Sequence, residues 1–147
     1  MDDVWKLLTA FLACFAAYIA YQQFRLGREK FKLDLFEKRF AVFAATRKLL
    51  SIILTEANLT TAQIFDYRAA VAEATFLFDS DITDFLDEID KKALRFRFTN
   101  EQIRFAPAVE NRDKLVDENH NLLGWLTDQL PMLKLKFAPY LKFHVWN

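Results

Sequence analysis

Two histidines, one cysteine and 20 acidic residues are the groups from which this chain can assemble a reactive centre. Asp117 and His120 are spaced as one half of the paired Glu-x-x-His arrangement that holds two metal ions inside a four-helix bundle. That arrangement needs glutamates and a second pair on a facing helix. Here an aspartate takes the glutamate's place, and His144, in the C-terminal tail, belongs to no second pair. Neither histidine has a nucleophile at a motif spacing, so both read as surface or rim residues. Cys14 lies inside an apolar run with no second cysteine, which leaves neither a disulfide framework nor a cysteine metal site. Gly27 and Gly124 stand singly and build no phosphate-cradling loop. Arg39, Arg47 and Lys48 have the charge of an anion clamp, yet helix surfaces carry such residues routinely. No catalytic, cofactor-binding or metal-binding residue is assigned on these patterns, and no cofactor is expected.

The elements that would position any such groups are helical. Phe supplies 16 residues of the 147, whereas Gly supplies 2 and Pro 3, a composition poor in turn formers and rich in large groups for filling helix interfaces. The 20 basic residues balance the 20 acidic ones, so no overall field favours nucleic acid, which is not expected as a partner.

The chain is organised around Val4 to Leu54, a stretch without proline whose first part is apolar. A cleaved signal peptide is not expected, because Asp2 and Asp3 precede Lys6 and no small-x-small exit follows Tyr18. A buried helix of a soluble protein is the stronger alternative. Leu7 to Tyr21 rises only about 22 Å, against a hydrocarbon core of ~30 Å. A spanning helix recovers the missing length at both edges, through Val4 and Trp5 with Lys6 snorkelling, and through Gln22 to Phe24. Trp5, Tyr18 and Tyr21 then become interfacial anchors. Arg25, Arg28, Lys30 and Lys32 follow the segment and only Lys6 precedes it, which predicts the N-terminus outside and the C-terminal domain in the cytoplasm. Ala13 with Ala17, and Ala16 with Ala20, are small-xxx-small pairs that let two helices approach. Residues 1–24 are thus read as a transmembrane anchor, and residues 25–147 as a helical bundle domain.

Beyond the anchor, Phe31, Leu35, Val42, Leu49 and Ile53 mark one side of the first helix, widened by Phe36, Phe40, Phe43, Leu50 and Leu54. Asp34 with Lys38 and Glu29 with Lys32 stand on its remaining surface. The basic residues there also compose a patch for anionic lipid, diluted by Glu29, Asp34 and Glu37. Thr60 and Gln63 make a capping box for a second helix from about Thr61 to Leu77, with Ile64, Tyr67, Val71, Ala74 and Leu77 or Phe78 inward. Asp79-Ser80-Asp81 supplies capping groups for a third helix, roughly Ile82 to Phe96, whose stripe is Ile82, Phe85, Leu86, Ile89, Ala93 and Phe96. Residues 95–105 alternate basic and aromatic side chains as an edge strand would. A lone hairpin would have no sheet to join, so frayed helix and loop is the preferred reading. A fourth helix starts between Val109 and Arg112, with Leu115, Asn119, Leu122, Leu126 and Leu130 inward, and Pro131 breaks or kinks it into shorter turns. The whole predicts an all-α protein: an N-terminal transmembrane helix continuous with a cytoplasmic antiparallel four-helix bundle.

The segment YQQFRLGREKFKLDLFEKRFAVFAATRKLL, followed by FLFDSDITDFLDEI and LPMLKLKFAPYLKF, resembles a broad group of small bacterial single-pass membrane-anchored helical proteins. Members carry an R-x-x-REK-x-K-L-D-L-F-E-K-RF-x-V-like run after a hydrophobic helix. The resemblance covers nearly the entire chain and implies the bacterial inner membrane, with no activity to carry over onto residues.

What remains is an alanine-bearing anchor, a wide Phe-rich helix surface and an aromatic tail holding Phe143 and Trp146. Together they predict a membrane-tethered interaction or scaffold module without catalysis. Its partners are the bilayer and either a second copy or another membrane or cytoplasmic protein. A membrane-acting effector that assembles in the bilayer is the alternative, although Leu7 to Tyr21 offers no charged side chain to line a pore. An enzyme of unknown class comes third.

Overall fold

The structure, a computed structural model, describes residues 2–105 and 112–142. Every regular element among them is helical: α1 (Asp2–Glu56), α2 (Thr61–Val71), α3 (Ala74–Leu77), α4 (Ser80–Phe105) and α5 (Arg112–Leu141). The chain divides into two compact units, Met1–Glu37 and Lys38–Asn147.

The first unit is helix throughout its described length. It belongs to α1, which continues without a break for 55 residues because no proline or local turn competes with the i to i−4 ladder. Its apolar side chains are exposed: Trp5, Leu12, Ile19, Phe24 and Leu26 among them. Phe31, expected on the core side, is 67 % exposed.

The second unit packs the rest of α1 with α2, α3, α4 and α5 around one apolar cluster. The core row of α1 is Val42, Leu49, Leu50 and Ile53, and it is narrower than expected, since Phe40 and Leu54 are exposed. Thr46 fills the turn between Val42 and Leu49, its hydroxyl donating to the Val42 carbonyl at 2.9 Å, so this buried polar group is satisfied within its own helix. After Glu56 the chain turns through Ala57, at φ 46°. An alanine in the left-handed region carries a steric penalty that glycine escapes. Its N–H donates to the Ile53 carbonyl at 2.9 Å and its carbonyl accepts from Asn100 Nδ2 at 3.0 Å, which holds it there.

The capping box at α2 is present, with Gln63 N–H on Thr60 Oγ1 at 3.3 Å and Thr60 N–H on Gln63 Oε1 at 2.8 Å. The single helix expected from Thr61 to Leu77 is interrupted at Ala72 and Glu73 and resumes as the short α3. Glu73 sits at φ −85°, ψ 0°, and its carboxylate pairs with Lys38 at 3.2 Å. The interruption buries both Ala74 and Phe78 and leaves Phe76 exposed.

Ile82, Phe85, Leu86, Ile89, Ala93 and Phe96 are all buried, as the period-3.6 stripe requires. The helix does not fray after Phe96. Residues 95–105 are the last turns of α4, and the strand-like alternation is absorbed by helical pairing. Thr99 extends the buried row, while Arg97 bonds Glu101 four residues on and Arg95 reaches Glu118 of α5. Pro131 does not divide α5 either, and one helix runs through Pro131 and Pro139. Both prolines are exposed, so water can reach the backbone carbonyls they leave unpaired. The consequence is that Leu133 and Phe137, past the expected break, join Leu126 as the fully buried members of α5, whereas Leu115, Leu122 and Leu130 are half-buried.

Partners along α4 and α5 run in opposite numerical order: Thr99 with Asn119, Lys92 over Trp125, Phe85 beside Lys136, Asp79 with Tyr140. That is the order of antiparallel neighbours. Phe43 against Phe137, with ring centroids 5.7 Å apart, places α1 along the same α5.

Candidate membrane and interaction surfaces

The groups with reactive potential are not brought together. Asp117 and His120 are both exposed. Among the described residues no three His, Cys, Asp or Glu side chains form a group able to hold a metal ion. Glu118 beside them is committed elsewhere, accepting Arg95 Nη2 at 2.9 Å in a two-pronged ion pair between α4 and α5. That hydrogen bond holds the Glu118 carboxyl below the usual carboxylate range. His144 lies outside the described residues.

Arg39, Arg47 and Lys48 do not converge on one anion. Arg39 Nε donates to the Leu77 carbonyl at 3.0 Å, and its guanidinium lies 5.8 Å from the Phe78 ring centroid and 5.3 Å from that of Tyr140. Tyr140 donates its hydroxyl to Asp79 Oδ2 at 2.8 Å, and this hydrogen bond, with burial, raises the phenol's pKa. Phe78 in turn meets Phe137 and Tyr140 edge-on, at 5.1 and 5.2 Å. The set latches the start of the bundled part of α1 to the α3–α4 connection and the end of α5. Sequence reading missed it because its members come from three separate elements. Arg47 stands instead on a groove of about 640 Å³ with Ser51 and Lys134, and Lys48 on a smaller one with Asp66.

Asn119 is half-buried and its amide nitrogen donates to Thr99 Oγ1 at 2.8 Å and to the Phe96 carbonyl at 3.3 Å. Thr99 also donates to the Phe96 carbonyl, at 2.9 Å. This polar triplet joins α4 and α5 at one register, since a shift of either helix would take the Asn119 amide off both of its acceptors.

A groove of about 530 Å³ lies between the α1–α2 connection and the last turns of α4. Arg97 on its wall is already paired with Glu101, and Asn100 with the Ala57 carbonyl, which leaves it no convergent set of reactive groups.

The residues expected at a membrane interface all lie on the first unit and are exposed: Trp5, Lys6, Tyr18, Tyr21, Arg25 and Arg28. Every residue from Leu7 to Tyr21 is exposed as well, Cys14 included. The polar groups along this run are served within the helix. Thr9 donates its hydroxyl to the Trp5 and Lys6 carbonyls at 2.9 Å each, and Gln22 Nε2 donates to the Tyr18 hydroxyl at 2.9 Å. By length and composition α1 is able to cross a membrane, and its apolar window is 0 % buried. Phe143 and Trp146 lie outside the described residues.

No family model, no curated protein and no solved structure matches this chain. What stands is a small all-helical protein with one long apolar N-terminal helix and a four-helix contact bundle.

Proposed function

We propose that this is a single-pass, membrane-tethered interaction module whose helical bundle works at the cytoplasmic face and performs no catalysis. The observation that carries the reading is the exposure of every side chain from Leu7 to Tyr21 on an unbroken helix. So large an apolar cylinder left in water would be an aggregation surface, whereas lipid solvates it without further partners. Trp5 at one edge, and Tyr18 and Tyr21 at the other, supply rings with an apolar body and a polar handle for the two interfaces. Lys6 snorkels outward beside Asp3, 3.4 Å away. Arg25 and Arg28, followed by Lys30 and Lys32, support the cytoplasmic direction of the bundle.

The interaction role rests on the sequence and structure left over once lipid has covered the anchor. Phe31, Phe65, Phe76 and Phe105 are exposed outside the anchor, and the sequence carries two further aromatic residues, Phe143 and Trp146, near its last residue. Detergent-solubilised protein is expected to run as an oligomer or to retain a specific protein in crosslinking pull-downs. Replacing Phe143 and Trp146 together should weaken that association and leave the helical signal intact. A monomeric protein that captures nothing specific and depolarises membranes on expression would replace this reading with the effector one.

A further inference from the structure

We propose that the groove between α1 and α5 binds a single-chain anionic amphiphile, a fatty acid, with its carboxylate between Arg47 and Lys134 and its chain on the leucines below. The groove encloses about 640 Å³, within the range of roughly 300–1,000 Å³ typical of small-molecule sites. All of its lining residues belong to the second unit, so the site stands whether or not the first unit spans a membrane.

The two helices set the cations opposite each other. Phe43 lies against Phe137 and Arg39 against Tyr140, so each step forward on α1 is matched by a step back on α5. Arg47 is thereby level with Leu133 and Lys134, and Ser51 with Gln129 and Leu130. Among the described residues no acid lines the groove. Arg39 donates to a carbonyl, and Arg68, Arg95 and Arg97 each hold a carboxylate. Arg47 and Lys134 have neither hydrogen bond nor ion pair among the described residues. Two like charges facing each other repel, and an anion lodged between them replaces that repulsion with two attractions.

The rest of the lining selects a chain over a bare anion. Leu133 is fully buried beneath the two cations, Phe43 and Leu130 are half-buried on the walls, and Leu135 stands at the lip, 68 % exposed. Ser51 is too small to fill the space beside Leu130, which leaves a trough there. The trough is blind at one end, where the Phe43 ring meets those of Phe40 and Phe137 at 5.9 and 5.7 Å. From Phe43 to Ser51 it runs roughly 12 Å along α1. A partner helix, about 10–12 Å across with its side chains, needs an open-ended groove, whereas an acyl chain fits a short closed one.

The test irradiates the full chain, in neutral phosphatidylcholine vesicles, with a diazirine-bearing palmitate and maps the adducts by mass spectrometry. Adducts are expected within residues 43–51 and 130–135, beyond any in residues 4–24. Excess unlabelled palmitate should remove them, whereas hexadecanol and inorganic phosphate should not. Arg47→Glu combined with Lys134→Glu should cut groove labelling several-fold at an unchanged helical signal. Ser51→Leu, which fills the trough and keeps both charges, should do the same. Labelling confined to residues 4–24, equal competition by hexadecanol, displacement by phosphate alone, or undiminished labelling of either variant would overturn the site.

Discussion

The polar side chains decide how the helices of this bundle are registered, and Asn119 is the most informative of them. Its amide serves Thr99 and the Phe96 carbonyl at once, so Asn119→Ala should destabilise the bundle by about 1–2 kcal/mol in urea unfolding of the micelle-solubilised protein. Glu118 has a pH signature. Its folded-state pKa is depressed by the Arg95 hydrogen bond, so its contribution is fully present above the ordinary carboxylate value and is lost as pH falls through the lower folded value. Glu118→Gln should flatten the fall in stability as the pH drops below the ordinary carboxylate value, and an unchanged acid limb would contradict the pairing. At this scale the sequence is legible where a motif is local, as at Thr60 and Gln63. It is mute about Thr46 and Thr99, because a threonine that bonds its own helix backbone is buried despite its hydroxyl.

Among the elements, α4 was readable in its buried stripe and misread in its length, since alternating Arg and Phe imitates a strand until Glu101 and Glu118 are placed beside the arginines. The same kind of error shortened α5. A proline rule applied to position 131 hides the fact that an exposed proline lets the helix continue, and so conceals Leu133 and Phe137. Phe137 is fully buried and touches the rings of both Phe43 and Phe78, which ties α5 to α1 and to the α3–α4 connection. Phe137→Ala is expected to cost about 3–5 kcal/mol in denaturant unfolding. A loss below about 1 kcal/mol would mean that the segment beyond Pro131 does not form part of the core.

For the molecule as a whole, the all-α class followed from composition and period, whereas the interface residues are a proposal from the asymmetry of charge and aromatics around one apolar run. What the sequence left open was whether that run belongs inside a core, because a buried helix and a spanning helix share the same hydropathy. Exposure from Leu7 to Tyr21 favours the spanning alternative. The most direct measurement is protease protection on carbonate-washed membranes, read from each side with an antibody to the bundle. A tethered protein stays in the pellet, its bundle digested in inverted vesicles and spared in sealed cells. A protein found in the carbonate supernatant, or a bundle digested from outside sealed cells, would contradict the tethered, cytoplasm-facing arrangement.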